Sequence, residues 1–137
     1  VAQIKENKMK KLSLILSLIF MSSVSMAQNI EYKNLVNTKW KLTNYIIDGQ
    51  SLPIEKKRKK DYYIFKENNQ KEEVLYGKKV KGTWEFLPHG NFIMFYSEKM
   101  DIYVPARITE LNSDTLRITI FDIKTMKMVT LVYISNL

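Results

Sequence analysis

The side chains that usually carry catalysis or hold a metal are scarce in this sequence. His89 is the only histidine and no cysteine occurs, so the nitrogen and sulfur ligands of a zinc site are lacking. No serine stands with a histidine and a carboxylate at the spacing of a catalytic triad. The four glycines are isolated rather than grouped in a phosphate-binding loop, and Glu72 and Glu73 are expected to face solvent. We therefore expect a protein that is not an enzyme and uses no cofactor or metal.

The most concentrated charge lies in a single run of basic residues. The run comprises Lys56, Lys57, Arg58, Lys59 and Lys60, in a sequence whose formal net charge is +8. Such a run can contact a polyanion or the phosphate of a lipid head group, or it can be a solvated loop that aids solubility. From position 28 onward, basic and acidic residues outside the run balance, so we expect no nucleic-acid partner.

A set of aromatic and apolar residues at alternate positions could bind a ligand. Their spacing predicts that they point into the fold, and they are Tyr63, Phe65, Trp84, Phe86, Phe92, Met94 and Tyr96. One hypothesis is that they line an apolar pocket that opens at one end of the fold. The other is that they simply fill a core. The residues alone leave both hypotheses open.

Residues 79–96 are typical of a β-hairpin, and the rest of the domain is arranged around it. Every second residue from 80 to 86 is apolar or glycine and alternates with a polar one, the pattern of a half-buried strand. The turn is predicted at positions 88–91, where a proline fixes one dihedral angle and a glycine permits unusual ones.

The same alternation predicts eight short strands between residues 38 and 134. In the first strand, Trp40, Leu42 and Ile46 are expected to face the core, and residues 50–60 are expected to form a loop. Short connections between successive strands imply antiparallel neighbours. Eight such strands close naturally into an all-β, up-and-down antiparallel β-barrel, which removes the free edges of the sheet.

The first 27 residues are predicted to lie outside this domain. Met9 is the expected start, and a basic segment, an apolar run and small residues before Gln28 have the pattern of a cleavable signal peptide. We therefore expect upstream residues and a signal peptide at 1–27, a barrel domain at 28–137, and a periplasmic or extracellular location. Without cysteine, an exported domain has no disulfide and relies on its core.

The sequence resembles the bacterial secreted lipocalin-like domains, which are calycin-type β-barrels, over roughly residues 35–134. The resemblance is carried by the signal peptide, by Trp40 early in the first strand, and by the strand Gly82-Thr83-Trp84-Glu85-Phe86 before a proline and glycine turn. It implies a lipocalin-like barrel with Trp40 packed at its closed end. It also implies that the loop holding the basic run flanks the open mouth.

Together these patterns predict a non-catalytic exported protein that binds a small hydrophobic or amphipathic ligand in the barrel. The alternative is a protein-interaction or inhibitor barrel with a filled core, which acts through its rim and loops. Either form is expected to be a monomer or a weak dimer. Empty space around Trp84, Phe86 and Met94 would distinguish the first from the second.

Overall fold

The computed structural model describes residues 32–87, 89, 91–97 and 101–135. The predicted signal peptide with its cleavage site, and Pro88 and Gly90 of the predicted turn, lie outside the described residues. The elements are, in chain order, α1 (Tyr32–Leu35), β1 (Lys39–Ile47), β2 (Gln50–Pro53), a 3₁₀ helix (Lys56–Arg58), β3 (Tyr62–Phe65), β4 (Gln70–Leu75), β5 (Lys78–Leu87), β6 (Phe92–Ser97), β7 (Ile102–Leu111), β8 (Thr115–Asp122) and β9 (Lys127–Ser135).

Eight of the nine described strands form a closed antiparallel barrel. β1 pairs with β3, each later strand pairs with the next, and β9 returns to pair with β1. The prediction of an all-β, eight-stranded up-and-down barrel is therefore confirmed. Closure satisfies the backbone groups that an open sheet would present at its edges.

β2 is an additional strand in a segment that was expected to be a loop. The two residues of the β1–β2 turn, Asp48 and Gly49, have positive φ angles of 50° and 76°, as in a tight two-residue hairpin. β2 pairs with the second half of β1, whereas β3 pairs with residues 39–41 in its first half. The prediction of a loop over residues 50–60 is therefore wrong for residues 50–53. Residues 54–61 separate β2 from β3, and both of these strands pair antiparallel with β1.

The connections between strands define two ends of the barrel. The lower end holds the start of β1 and the β3–β4, β5–β6 and β7–β8 connections. The upper end holds the β1–β2, β4–β5, β6–β7 and β8–β9 connections. At the upper end, Lys127 Nζ and Asp48 Oδ2 lie 2.6 Å apart and link the start of β9 to the β1–β2 turn.

α1 closes the lower end of the barrel. Leu35 is fully buried, and the indole Nε1 of Trp40 donates a hydrogen bond of 3.1 Å to the Leu35 carbonyl oxygen. The last carbonyls of a helix have no partner within it, so this bond satisfies one of them. Trp84 Nε1 donates to the Lys66 carbonyl oxygen at 2.9 Å, and the ring of Tyr32 stacks on Trp84 at 5.9 Å. Trp40 thus lies at the closed end, where the resemblance implies it should be.

A β-bulge in β1 changes which of its side chains face the core. Trp40 and Leu42 are buried as expected, but Thr43 is an extra residue in the register against β9. A bulge shifts the alternation by one position. Tyr45 therefore packs against the core, and Ile46 pairs beside it on the other face. The inward direction predicted for Ile46 is wrong for this reason.

Candidate ligand-binding site

Four of the seven predicted ligand residues point into the barrel. Phe65 and Trp84 are buried, whereas Tyr63 and Phe86 keep partial exposure. The ring centroids of Phe65 and Trp84 lie 5.1 Å apart, and Phe95, which the sequence analysis did not include, stacks on Phe65 at 5.7 Å. These rings occupy the interior around Trp84, so the space whose emptiness would have favoured a barrel ligand is filled at this level of the barrel.

The inward direction predicted for Phe92, Met94 and Tyr96 is wrong. Directly paired residues of antiparallel strands share a face of the sheet, and these three pair with outward positions of β5. Ile93 and Phe95 take the inward positions of β6 instead. A shift of one residue exchanges the two faces of a strand. Because every residue of β6 except the last is apolar or aromatic, alternation could not reveal which face is buried.

These three outward residues line grooves on the outer surface of the barrel. Met94 and Tyr96 line a groove of about 590 Å³ together with Tyr103. Phe92 lines another of about 360 Å³ together with Phe121. Ligand binding by the seven residues stays a prediction, and the structure divides them between the interior and two outer grooves.

The barrel interior holds an ion pair that the sequence analysis missed. Lys71 and Glu73 lie two positions apart on β4, and their side chains are 3% and 5% exposed, with Nζ and Oε1 3.3 Å apart. The expected exposure of Glu73 is therefore wrong. The Lys71 ammonium also lies 4.8 Å from the ring centroid of Phe95 and 5.5 Å from that of Tyr63, and aromatic faces stabilise a nearby cation.

Gly82 leaves the space that the Lys71 side chain occupies. The two residues are paired across β4 and β5. A Cβ atom at Gly82 would lie 3.3 Å from Lys71 Cε and 2.8 Å from the backbone oxygen of Tyr96. A larger residue would therefore clash with the backbone of Tyr96, which the hydrogen bonds between β5 and β6 hold in place. A glycine inside a strand often marks such a close approach, and this was the signal in the sequence that could have indicated a buried side chain opposite.

Burial changes the ionisation of the groups around this ion pair. Desolvation lowers the pKa of Lys71, and the charge of Glu73 opposes that change. Desolvation also raises the pKa of Tyr63, with the charge of Glu73 adding to the shift. Burial likewise raises the pKa of Tyr133, whose hydroxyl lies near Tyr63 but makes no hydrogen bond of good geometry within the described residues. We refer to Tyr63, Lys71, Glu73 and Tyr133 as the polar layer.

One member of the basic run belongs to the barrel wall. Arg58 Nε lies 2.6 Å from Asp61 Oδ2, and Arg58 Nη1 donates to the Tyr45 hydroxyl. Asp61 Oδ1 accepts a hydrogen bond of 2.9 Å from the backbone N–H of Tyr76. The Arg58 side chain is only 15% exposed, so the predicted polyanion contact is corrected to exclude it. The four lysines of the run are exposed, and their contact with a polyanion stays a prediction.

The inner wall of the upper half is apolar except for the Tyr45 hydroxyl, which accepts from Arg58, and its side chains are only partly covered. Tyr45, Ile47, Val104 and Ile120 pack against the core but remain partly exposed, whereas Leu116 near the lower end is fully buried. We call these four residues the upper cup. An eight-stranded barrel is wide enough to hold one small ligand. An accessible apolar wall next to a few polar groups is the usual composition of a small-molecule site.

Within the residues that the structure describes, no group of three or more His, Asp or Glu side chains is placed to hold a metal ion. None of the helices in the described ranges is long and apolar enough to cross a membrane.

A family match covers more than half of the chain. The model of the family described as Lipocalin-like domain matches residues 36–118. The matched segment begins just before β1 and ends within β8, so it includes Trp40, Trp84 and all of the polar layer except Tyr133. None of the curated proteins matches the chain.

Proposed function

Because the chain belongs to the Lipocalin-like domain family, we propose that it is a non-catalytic protein that binds a small amphipathic molecule in the upper half of its barrel. A lipocalin-like barrel indicates a binding protein in general. The finer part of the proposal rests on one observation, the accessible apolar wall of the upper cup beside the polar layer. The apolar part of the ligand would contact the cup, and its polar group would approach Tyr63 and Tyr133.

The polar layer favours an uncharged polar group on the ligand. The ammonium of Lys71 is already compensated by Glu73, so an additional ion would leave a charge without a partner in a poorly solvated site. The Tyr133 hydroxyl, by contrast, is buried without a hydrogen bond of good geometry. A buried hydroxyl without a partner costs free energy, so a ligand hydroxyl or carbonyl oxygen that reaches Tyr133 would recover it.

Filling the upper cup tests this proposal. The Ile120→Phe variant adds volume inside the cup, and we expect it to weaken binding of a fluorescent fatty-acid methyl ester about tenfold, equivalent to about 1.4 kcal/mol. Leu111→Phe is the matched control, because Leu111 also packs against the core but lies at the lower end. A fluorescence titration measures both. Equal weakening in the two variants, or no binding by the wild-type protein, would refute a ligand in the upper cup.

A protein-interaction or inhibitor barrel is the second candidate function, and the rim favours it. Ile123 and Met126, in the β8–β9 connection, are 72% and 70% exposed, and exposed apolar side chains at a rim can contact another protein. Native mass spectrometry of the purified protein separates the two candidates. A small co-purifying mass that is lost in Ile120→Phe supports the barrel ligand, whereas a ligand-free mass together with no response to the ester supports the rim.

Export is the remaining part of the proposal. Its support is the pattern of residues 1–27, which has the basic segment, the apolar run and the small residues of a signal peptide. Expression of the full sequence in a bacterium, followed by fractionation and mass measurement, tests it. A mature protein that begins at Gln28 in the periplasm or medium is the expected result, and an uncleaved cytoplasmic protein would contradict it.

A further inference from the structure

A basic groove crosses the outer wall of the barrel over β1, β3, β4 and β5. It has a volume of about 400 Å³, and Tyr62 and Val74 are among the residues that line it. Its other prominent lining residues are five lysines from three separate parts of the sequence: Lys39, Lys41, Lys59, Lys60 and Lys79. We call this feature the basic groove.

The strand register sets four of the lining residues in one row. Lys41 pairs with Tyr62, Tyr62 pairs with Val74, and Val74 pairs with Lys79. Neighbouring strands lie about 4.8 Å apart, so the Cα atoms of the two lysines at the ends of the row are roughly 15 Å apart. The row therefore has a tyrosine and a valine between two lysines.

Acidic neighbours offset the positive charge of the basic groove only in small part. In the described part of the chain, none of its five lysines forms an ion pair. Lys39 Nζ instead lies 4.2 Å from the ring centroid of Tyr62. The Glu72 carboxylate, next to Tyr62, accepts the Tyr62 hydroxyl at 2.9 Å and pairs with Lys66 at 3.5 Å. The same carboxylate also interacts electrostatically with Lys79, so the charge of that one groove lysine is partly offset.

Only part of the basic run lines this groove. Lys59 and Lys60 line it, whereas Lys57 pairs with Glu55 at 3.1 Å and Arg58 belongs to the barrel wall. The lysines that join them, on β1 and β5, are distant from the run in sequence. They reach the same surface because β1 and β5 are separated only by β3 and β4 in the barrel.

We propose that the basic groove binds a molecule that carries two or more phosphate groups. The lysine ammonium is a compact charge that binds phosphate, and several uncompensated ammonium groups in one concave site attract a multiply charged anion most strongly. The lysines at the two ends of the row suit two phosphates, and the Lys39 ammonium over Tyr62 adds a positive charge between them. A soluble phosphorylated molecule and a lipid head group share this chemistry. The proposal does not depend on a ligand in the barrel, because the groove lies on the outer face.

A charge-matched pair of double variants tests the proposal. Lys41→Gln with Lys79→Gln removes both ends of the row, and Lys56→Gln with Lys124→Gln removes two exposed lysines that do not line the groove. The two probes are inorganic tripolyphosphate, followed by calorimetry, and phosphatidylcholine vesicles with cardiolipin, whose head group has two phosphates, followed by sedimentation. A surface lysine contributes about 1 kcal/mol to binding an anionic surface, so the groove variant should weaken binding about tenfold or more.

Each outcome has a defined meaning. Weakened tripolyphosphate binding in the groove variant, with the control variant within about twofold of wild type, supports a soluble phosphorylated ligand. The same pattern with vesicles only supports a lipid head group. Equal weakening by both double variants, or wild-type protein that binds neither probe, overturns the proposal. An unchanged thermal midpoint in both variants shows that the fold is retained.

Discussion

The lower end and the upper half of the barrel are built from different kinds of side chain. At the lower end, the indoles of Trp40 and Trp84 are buried and both of their N–H groups donate to backbone carbonyls. In the upper half, Tyr45 and Ile120 face the interior but remain partly exposed. The polar layer lies between these regions. The comparison shows that buried, hydrogen-bonded indoles close the lower end, whereas the side chains on the inner wall of the upper half stay partly exposed.

This division explains why charged groups occur inside so small a barrel. A buried ion pair usually adds little to stability compared with apolar residues of similar size, so Lys71 and Glu73 are not explained by stability alone. In the function proposed above, they would set the polarity of the interior that a ligand meets.

The largest expected effect of a substitution is at the lower end. Trp84→Ala should lower the free energy of unfolding by about 3–5 kcal/mol, because it leaves a cavity beside Phe65 and removes the bond to the Lys66 carbonyl. Urea denaturation measures this loss. Leu87→Ala, on the outer face of the same strand, should cost less than about 1 kcal/mol. A comparably small cost for Trp84→Ala would show that the packing of this indole does not maintain the lower end of the barrel.

A smaller effect is expected in the polar layer. Glu73→Ala leaves the Lys71 ammonium buried without its carboxylate, which should cost about 3 kcal/mol in urea denaturation. Combining it with Lys71→Met removes the unpaired charge and should restore most of that loss. Glu72→Ala, one position away and facing outward, is the control and should cost less than about 1 kcal/mol. If the double variant were no more stable than Glu73→Ala, the ion pair would not be the reason for the loss.

The smallest expected effect is confined to high pH. Burial raises the pKa of Tyr63 above the ordinary value of 10.0, so the unfolded state loses this proton first. The associated stability is complete below about pH 10 and is lost as the pH rises further. The unfolding free energy of the wild type should therefore fall more steeply from about pH 10 to 11 than that of Tyr63→Phe. Tyr103→Phe, at a position 68% exposed, should follow the wild type, and parallel curves for all three would show that burial does not hold the proton on the Tyr63 hydroxyl.

Most of the fold could be predicted because its strands bury one face. In β5, β7 and β8, apolar residues or glycine occupy every second position over most of the strand, and mainly polar residues lie between them, so both the strand and its buried face follow from the pattern. The short turns then determine antiparallel neighbours. β2 was missed because all four of its residues are exposed, so it has no buried face to produce the pattern.

The site was predicted less well, for two physical reasons. In β6 both faces are apolar, so nothing in the pattern distinguishes Ile93, which is buried, from Met94, which is not. In the polar layer and the barrel wall, charged residues lie where apolar ones are expected. Glu73 and Arg58 are buried because each has a partner, Lys71 and Asp61, and such partners become visible only when the strands are placed side by side.

The pairing of β9 with β1 joins the first strand of the barrel to the last. During synthesis, β1 therefore has no neighbour along this edge until the ribosome has released residues 127–135. An almost complete chain carries two open edges, one on β1 and one on β8, and such edges readily pair with other chains. Contacts between distant parts of a sequence also form slowly. The last strand thus decides when the nascent chain stops being prone to aggregation.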